Sequence, residues 1–153
     1  MQKVRPCMWY GDDAEEAVTF YTTLFDDAEV LDVMRAGPDG PAIALTFRIE
    51  DAELMALNGG QDHHFTEANS LYVSCGSQAE VDRYWDALIA DGGEASMCGW
   101  LKDRWGLSWQ IIPDRLIELM GDPDPARAQR ATQAMLQMQK IDVAALEAAA
   151  DGG

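Results

Sequence analysis

The sequence predicts an α+β protein: two βαβββ modules whose curved mixed sheets surround a pocket, followed by a C-terminal helical tail. The first observation behind this is an internal repeat offset by about 64 residues. Met8-Trp9-Tyr10 runs through Gly11-Asp12-Asp13 into a segment with Glu16, Phe20-Tyr21 and Leu24. In the same way Tyr72-Val73-Ser74-Cys75 runs through Gly76-Ser77 into Glu80, Tyr84-Trp85 and Leu88. Self-similarity at such a period marks a duplicated supersecondary unit, and two related halves tend to enclose a site. The second observation is the order of periodicities, with period-2 runs before and after a 3.6-period stretch in each copy. The third is the cap-and-proline signature that opens a helical tail at Asp124-Pro125.

Val4 to Tyr10 reads as a strand, and Asp12 or Asp13 can cap the helix that follows, with Glu15 and Glu16 complementing its dipole. Val18, Tyr21, Leu24 and Phe25 recur at helical spacing and form its predicted buried stripe. Glu29 to Ala36 is a second strand. Gly37-Pro38-Asp39-Gly40-Pro41 is the strongest turn signal in the chain, and beyond it Ile43, Leu45, Phe47 and Ile49 alternate as a half-buried third strand. Glu53 to Asn58 returns as a fourth before Gly59-Gly60. The order restarts with a strand from Ser70 to Cys75, a helix from Gln78 to Ala90 stopped by Asp91-Gly92-Gly93, a poorly defined stretch from Glu94 to Trp100, and a strand from Leu107 to Pro113. Ala128, Ala131, Met135 and Met138 mark one face of a tail helix, and Asp142 caps a last one. The divisions are 1–60 for the first module, 61–68 for a linker, 69–113 for the second module and 114–153 for the helices.

Composition removes several function classes. With 27 acidic against 11 basic residues the net charge is −16, which argues against binding to nucleic-acid phosphates or anionic membranes. No apolar stretch approaches the roughly 18 residues of a membrane span, and the N-terminus lacks the apolar segment of a signal peptide. A soluble cytoplasmic protein is expected. Cys7, Cys75 and Cys98 are odd in number and lack CxxC spacing, so they read as buried, inert thiols in a reducing compartment.

The chain resembles the vicinal-oxygen-chelate superfamily of glyoxalases, bleomycin-resistance proteins and extradiol dioxygenases, and within it the PhnB-like subfamily. The resemblance rests on Pro6-Cys7-Met8-Trp9-Tyr10, Ala14-Glu15-Glu16-Ala17 with Phe20-Tyr21, Met55-Ala56-Leu57-Asn58-Gly59-Gly60, Cys98-Gly99-Trp100-Leu101-Lys102-Asp103 and Gly106-Leu107-Ser108-Trp109-Gln110. It continues into the tail at Asp122-Pro123-Asp124-Pro125, Ala134-Met135-Leu136-Gln137-Met138 and Lys140-Ile141-Asp142. The subfamily often carries the label 3-demethylubiquinone methyltransferase. That chemistry wants a glycine-rich loop between strand and helix, whereas Gly59-Gly60 precedes a polar connector and Gly92-Gly93 follows a helix. In metal-dependent members of the superfamily, inward His, Glu or Gln side chains hold a divalent ion. The motif-matched positions here are Pro6, Leu54 or Ala56, Ser70 and Gln110, of which only Gln110 offers a usable oxygen. The resemblance therefore implies the fold without the metal, and no cofactor is expected.

Alternation along the strands then assigns a pocket face. Leu71, Val73 and Cys75 belong under a helix, leaving Ser70, Tyr72 and Ser74 inward. The same parity, transferred through the repeat, puts Pro6, Met8 and Tyr10 inward, with Leu54, Ala56 and Asn58 on the fourth strand and Ser108 and Gln110 on the last. The expected ligand-binding set is Met8, Tyr10, Asn58, Ser70, Tyr72, Trp100, Trp105 and Gln110, a mostly apolar lining with few polar anchors. Gln110 either bonds a ligand or satisfies a neighbouring strand. Cys98 is the one candidate nucleophile, read otherwise as a structural thiol. Asp62, His63, His64 and Glu67 crowd possible donors into the connector, yet adjacent residues on extended chain point apart, so a solvated linker is expected. Asp103 closes a turn or pairs with Lys102 or Arg104. The functional expectation is metal-independent binding of an unknown small molecule by a homodimer. The alternatives are a metal-dependent lyase, isomerase or dioxygenase, or a Cys98 thiol enzyme.

Overall fold

The computed structural model describes residues 1–153, which form two compact units, Met1–Phe65 and Thr66–Gly153. The first holds β1 (Cys7–Tyr10), α1 (Ala14–Leu24), β2 (Ala28–Arg35), β3 (Ala42–Ile49) and β4 (Ala52–Asn58). Its sheet runs β1-β4-β3-β2, with β1 parallel to β4 and the other pairs antiparallel. Ala14, Ala17, Val18 and Tyr21 bury one face of α1 against Leu45, Phe47, Leu54 and Ala56. Each large apolar side chain buried in this way contributes about 2 kcal/mol by area. The Tyr21 ring stacks 6.4 Å from that of Phe47. Leu24 is only half-buried, and Phe25 closes that end of the stripe.

The start of α1 departs from local expectation. Asp13 is the N-cap, but its side chain makes no capping bond. Instead Ala14 N donates to Asn58 Oδ1 at 2.9 Å, so the end of β4 supplies the acceptor, and Asn58 Nδ2 donates to Ala42 O at 3.0 Å. Asn58 is thus committed to structure on the helix face of the sheet. Met8 and Tyr10 lie on the same face: both are buried, and the Tyr10 and Tyr21 hydroxyls are 3.0 Å apart.

The pocket-facing orientation expected for Met8, Tyr10 and Asn58, and for Leu54 and Ala56 with them, is therefore corrected. Two residues, Gly11 and Asp12, separate β1 from its N-cap, whereas Gly76 alone separates the corresponding strand from Ser77. The 64-residue offset is anchored on the helices, so carrying it back across turns of unequal length slips the strand by one and exchanges its faces. The side of the sheet away from α1 instead carries Cys7, Trp9, Glu53, Met55 and Leu57. Trp9 lies over Gly59, where an added Cβ would fall 2.3 Å from the ring, and its Nε1 donates to Gly60 O at 2.8 Å.

The second unit contains β5 (Ser70–Cys75), α2 (Gln78–Ile89), a 3-10 turn (Ala90–Gly92), β6 (Glu94–Ala95), β7 (Trp100–Lys102) and β8 (Ser108–Pro113). The tail follows as α3 (Asp114–Met120), α4 (Pro125–Met135) and α5 (Val143–Ala150). This sheet runs β5-β8-β7-β6, again with one parallel pair, β5 with β8. The stretch without a clear pattern resolves into the short β6 and the turn before β7. At the head of α2, Glu80 N donates to Ser77 Oγ and Gly76 N donates to Glu80 Oε2, a reciprocal cap. Val81, Tyr84, Trp85 and Leu88 form the buried face of α2, and Cys75, Leu101, Trp109 and Ile111 are buried on its side of the sheet.

The tail has its own core of Leu116, Leu119, Ala131, Ile141, Leu146 and Ala150 packed with Ile112, and Met135 and Met138 fold against it. Asp124 and Asp142 cap α4 and α5 as their sequence predicts. Gln78 and Lys140 tie the tail to α2, the amide bridging Ile141 O and Val143 N and the ammonium reaching Asp82 and Asp86. The thiols are free but not alike: Cys75 is buried, Cys98 half-buried and Cys7 exposed, against the expectation of three buried thiols. Burial, aided by Glu80 and Asp114, pushes the Cys75 thiol up to about 12. No helix is long and apolar enough to cross a membrane.

Candidate functional site

A cavity of about 340 Å³ opens in the second unit, on the side of the sheet away from α2. Its wall is built from the β6–β7 turn (Ser96, Met97, Cys98), from Trp100, Leu101 and Lys102 of β7, from Ser108 of β8, and from Glu67 of the connector. Strand register places Lys102 opposite Ser108 and Trp100 opposite Gln110.

The β7–β8 hairpin that carries Lys102 and Ser108 is fastened from within by Asp103. This carboxylate is 3% exposed and accepts three N–H bonds at 3.0 Å, from Trp105 N and Leu107 N on Oδ1 and from Trp109 Nε1 on Oδ2. Asp103 closes the turn, as the sequence allowed, and in doing so joins the hairpin to the core through Trp109.

The β6–β7 turn is held from outside. Cys98 has φ 59 and Gly99 has φ 84, and the Cys98 and Gly99 amides donate to Met138 O and Gln139 O of the tail at 2.7 and 2.9 Å. A left-handed conformation at a non-glycine residue is uncommon and persists where surroundings over-determine it. Here the tail carbonyls do so.

Two polar features stand out in this largely apolar lining. Ser108 is 1% exposed and its Oγ has no hydrogen-bond partner, where buried hydroxyls are ordinarily satisfied. At the mouth, Lys102 Nζ pairs with a Glu67 carboxylate oxygen at 2.5 Å. That bond holds the Glu67 carboxyl below its usual range and the Lys102 ammonium above its own.

Of the expected residues, only Trp100 and Cys98 line the cavity. Ser70, Tyr72 and Gln110 share its side of the sheet, but Gln110 Nε2 donates to Ser70 Oγ at 2.9 Å, so the amide satisfies a neighbouring strand. Tyr72 is half exposed, and burial raises its phenol. Trp105 lies elsewhere, beside a separate polar hollow with Glu94 and Gly106 and with the Arg104 guanidinium 5.1 Å over its ring. Sequence reasoning missed Glu67, Ser96, Met97, Leu101 and Lys102 as lining residues, and it placed Ser108 on the pocket face without counting it in the ligand-binding set. For Lys102 the signal existed, since it lies two residues along a strand from Trp100, on the same face.

The donor set does not fit a divalent ion. With strand parity corrected, the faces away from the helices offer Cys7, Trp9, Met55, Ser70, Tyr72 and Gln110, and Glu53 already accepts from Gln2 N and pairs with Arg5. No three His, Cys, Asp or Glu side chains converge, and His63 instead sits edge-on to Trp9, centroids 4.7 Å apart.

The PhnB protein of Bacillus cereus, described as a 3-demethylubiquinone-9 3-methyltransferase, superposes with a TM-score of 0.67 at 32% identity, covering 73% of this chain and 99% of its own. A match to the family of that description spans residues 2–112. The chain belongs to this PhnB-like family. A Pseudomonas aeruginosa protein (TM-score 0.59, 19% identity, 74% of this chain and 100% of that one) shares the fold. So does the fosfomycin resistance protein FosX of Listeria monocytogenes, solved with Mn(II) and sulfate (TM-score 0.52, 17% identity, 71% and 90%). No curated protein matches the chain in sequence. The PhnB-like fold is thus shared by proteins with little sequence in common with this chain. The family match stops at Ile112, so the tail, which carried part of the resemblance, lies outside it. The family description names a methyltransferase, but neither sheet is a doubly wound parallel one and neither glycine pair sits in a strand-to-helix loop.

Proposed function

We propose that this PhnB-like protein binds a small organic molecule, without a metal ion, in the cavity of its second unit. The observation that carries the reading is Ser108. A buried hydroxyl with no partner costs about 1–3 kcal/mol, and its place in an apolar wall beside a charged mouth is what a pocket with few polar anchors requires. Ser108→Ala should raise stability by about 1 kcal/mol, read as a higher thermal midpoint, because a methyl group there has no unmet bond. A fall in the midpoint would mean that the hydroxyl already has a structural partner and would remove the main support. Trace-metal analysis of the purified protein provides the second test, and a stoichiometric divalent ion would overturn the metal-independent part.

One observation favours a second reading. Cys98 holds a left-handed backbone conformation in the wall of the same cavity, as a positioned nucleophile would. Loss of a turnover in Cys98→Ser, with binding retained, would promote a thiol enzyme over a binding protein. The proposal also includes a dimer of cytoplasmic location: β2 is an end strand, and Val30, Leu31 and Met34 on it are exposed. Sedimentation velocity reads that part, and a monomer at micromolar concentration would remove it.

A further inference from the structure

We propose that the cavity is shaped for an anionic ligand with an apolar, aromatic body, and that Glu67 stands in for the ligand's acid group until it arrives; this rests on the binding role given to the cavity above. Lys102 is the only basic residue in the lining. It is fixed to the scaffold, since β7 is paired with Glu94–Ala95 on one side and with β8 on the other. Glu67 belongs to a turn of the connector outside any strand or helix, and its side chain is 63% exposed against 37% for Lys102. Of the two partners, the carboxylate is the one that can leave.

Exchanging one carboxylate for another at a wet, exposed ion pair changes little free energy. The gain comes from the apolar body, which would cover Met97 and Trp100, and from an acceptor that takes the Ser108 hydroxyl. A cationic ligand is the poorer fit, because it would have to displace Lys102 from a position set by strand pairing. The net charge of −16 repels anions at long range, so selection for an acid must be made locally, by this one ammonium group.

The test is calorimetric titration of the full chain with 2-naphthoate and with 2-naphthamide, probes alike in ring and different in charge. 2-Naphthoate should bind more tightly, and added salt should weaken it alone. Glu67→Gln should tighten 2-naphthoate by about three- to fivefold, the range an exposed pair allows, and leave 2-naphthamide within about twofold. Lys102→Met should abolish the preference. Equal affinity of wild type for both probes, or no change for 2-naphthoate in Glu67→Gln, would overturn the assignment of Glu67 while leaving the cavity as a binding site. If neither probe binds any variant, the binding role itself fails.

Discussion

Asp103→Ala should cost about 3 kcal/mol or more and loosen the hairpin carrying Lys102 and Ser108. The substitution removes the acceptor from the buried Leu107 amide and Trp109 indole N–H and from the half-buried Trp105 amide, and each orphaned buried donor carries a penalty of about 1–3 kcal/mol. Asp103→Asn is the sharper probe. Its one carbonyl oxygen can serve Trp105 N and Leu107 N, but its amide then faces Trp109 Nε1, donor against donor. Asp103→Asn should therefore destabilise the wild type clearly and a Trp109→Phe background much less, a non-additivity that denaturant unfolding of the four proteins in the cycle measures. Equal cost in both backgrounds would show that the indole contact contributes nothing.

Gly99→Ala should cost about 3 kcal/mol for two separate reasons. At φ +84 an L side chain is strained, and the new Cβ would sit 2.7 Å from Ile112 Cδ1, 3.0 Å from Ile111 O and 3.2 Å from Ile141 Cγ1. Ile112 and Ile141 belong to the tail core, so relief of the clash should push the tail off the β6–β7 turn. Amide exchange at Cys98 and Gly99, now bonded to Met138 O and Gln139 O, should accelerate together with alkylation of Cys98. An unchanged thermal midpoint with unchanged exchange would sink the account of the tail as the outer support of that turn.

Much of the architecture was legible in the residues because local signals agreed with the fold. The caps at Asp124 and Asp142, the turn at residues 37–41 and the apolar face of α1 stand where their chemistry predicts. The site was less legible, for a specific reason in each module. In the first, one extra residue between β1 and α1 exchanged the faces of the strand, which no periodicity within the strand can report. In the second, the alternation along the strands agrees with the faces they show, but the cavity draws on a turn and a connector with no period at all. That Ser108 lacks a partner while Gln110 has one depends on which side chain meets which across the sheet, a matter of tertiary contact rather than pattern.

The carbonyls of Met138 and Gln139 that hold the Cys98–Gly99 turn come from a part of the chain beyond the family match. About a quarter of this chain has no counterpart in the Bacillus cereus protein, whose own length is covered almost completely. Inheritance of the fold therefore need not carry inheritance of the cavity's shape: part of its wall is propped by residues beyond the family match, and on the binding role proposed above specificity can drift through changes far from any contact with ligand. Changes within residues 114–153 would then reshape the turn at Cys98 and Gly99 while every lining residue stayed the same.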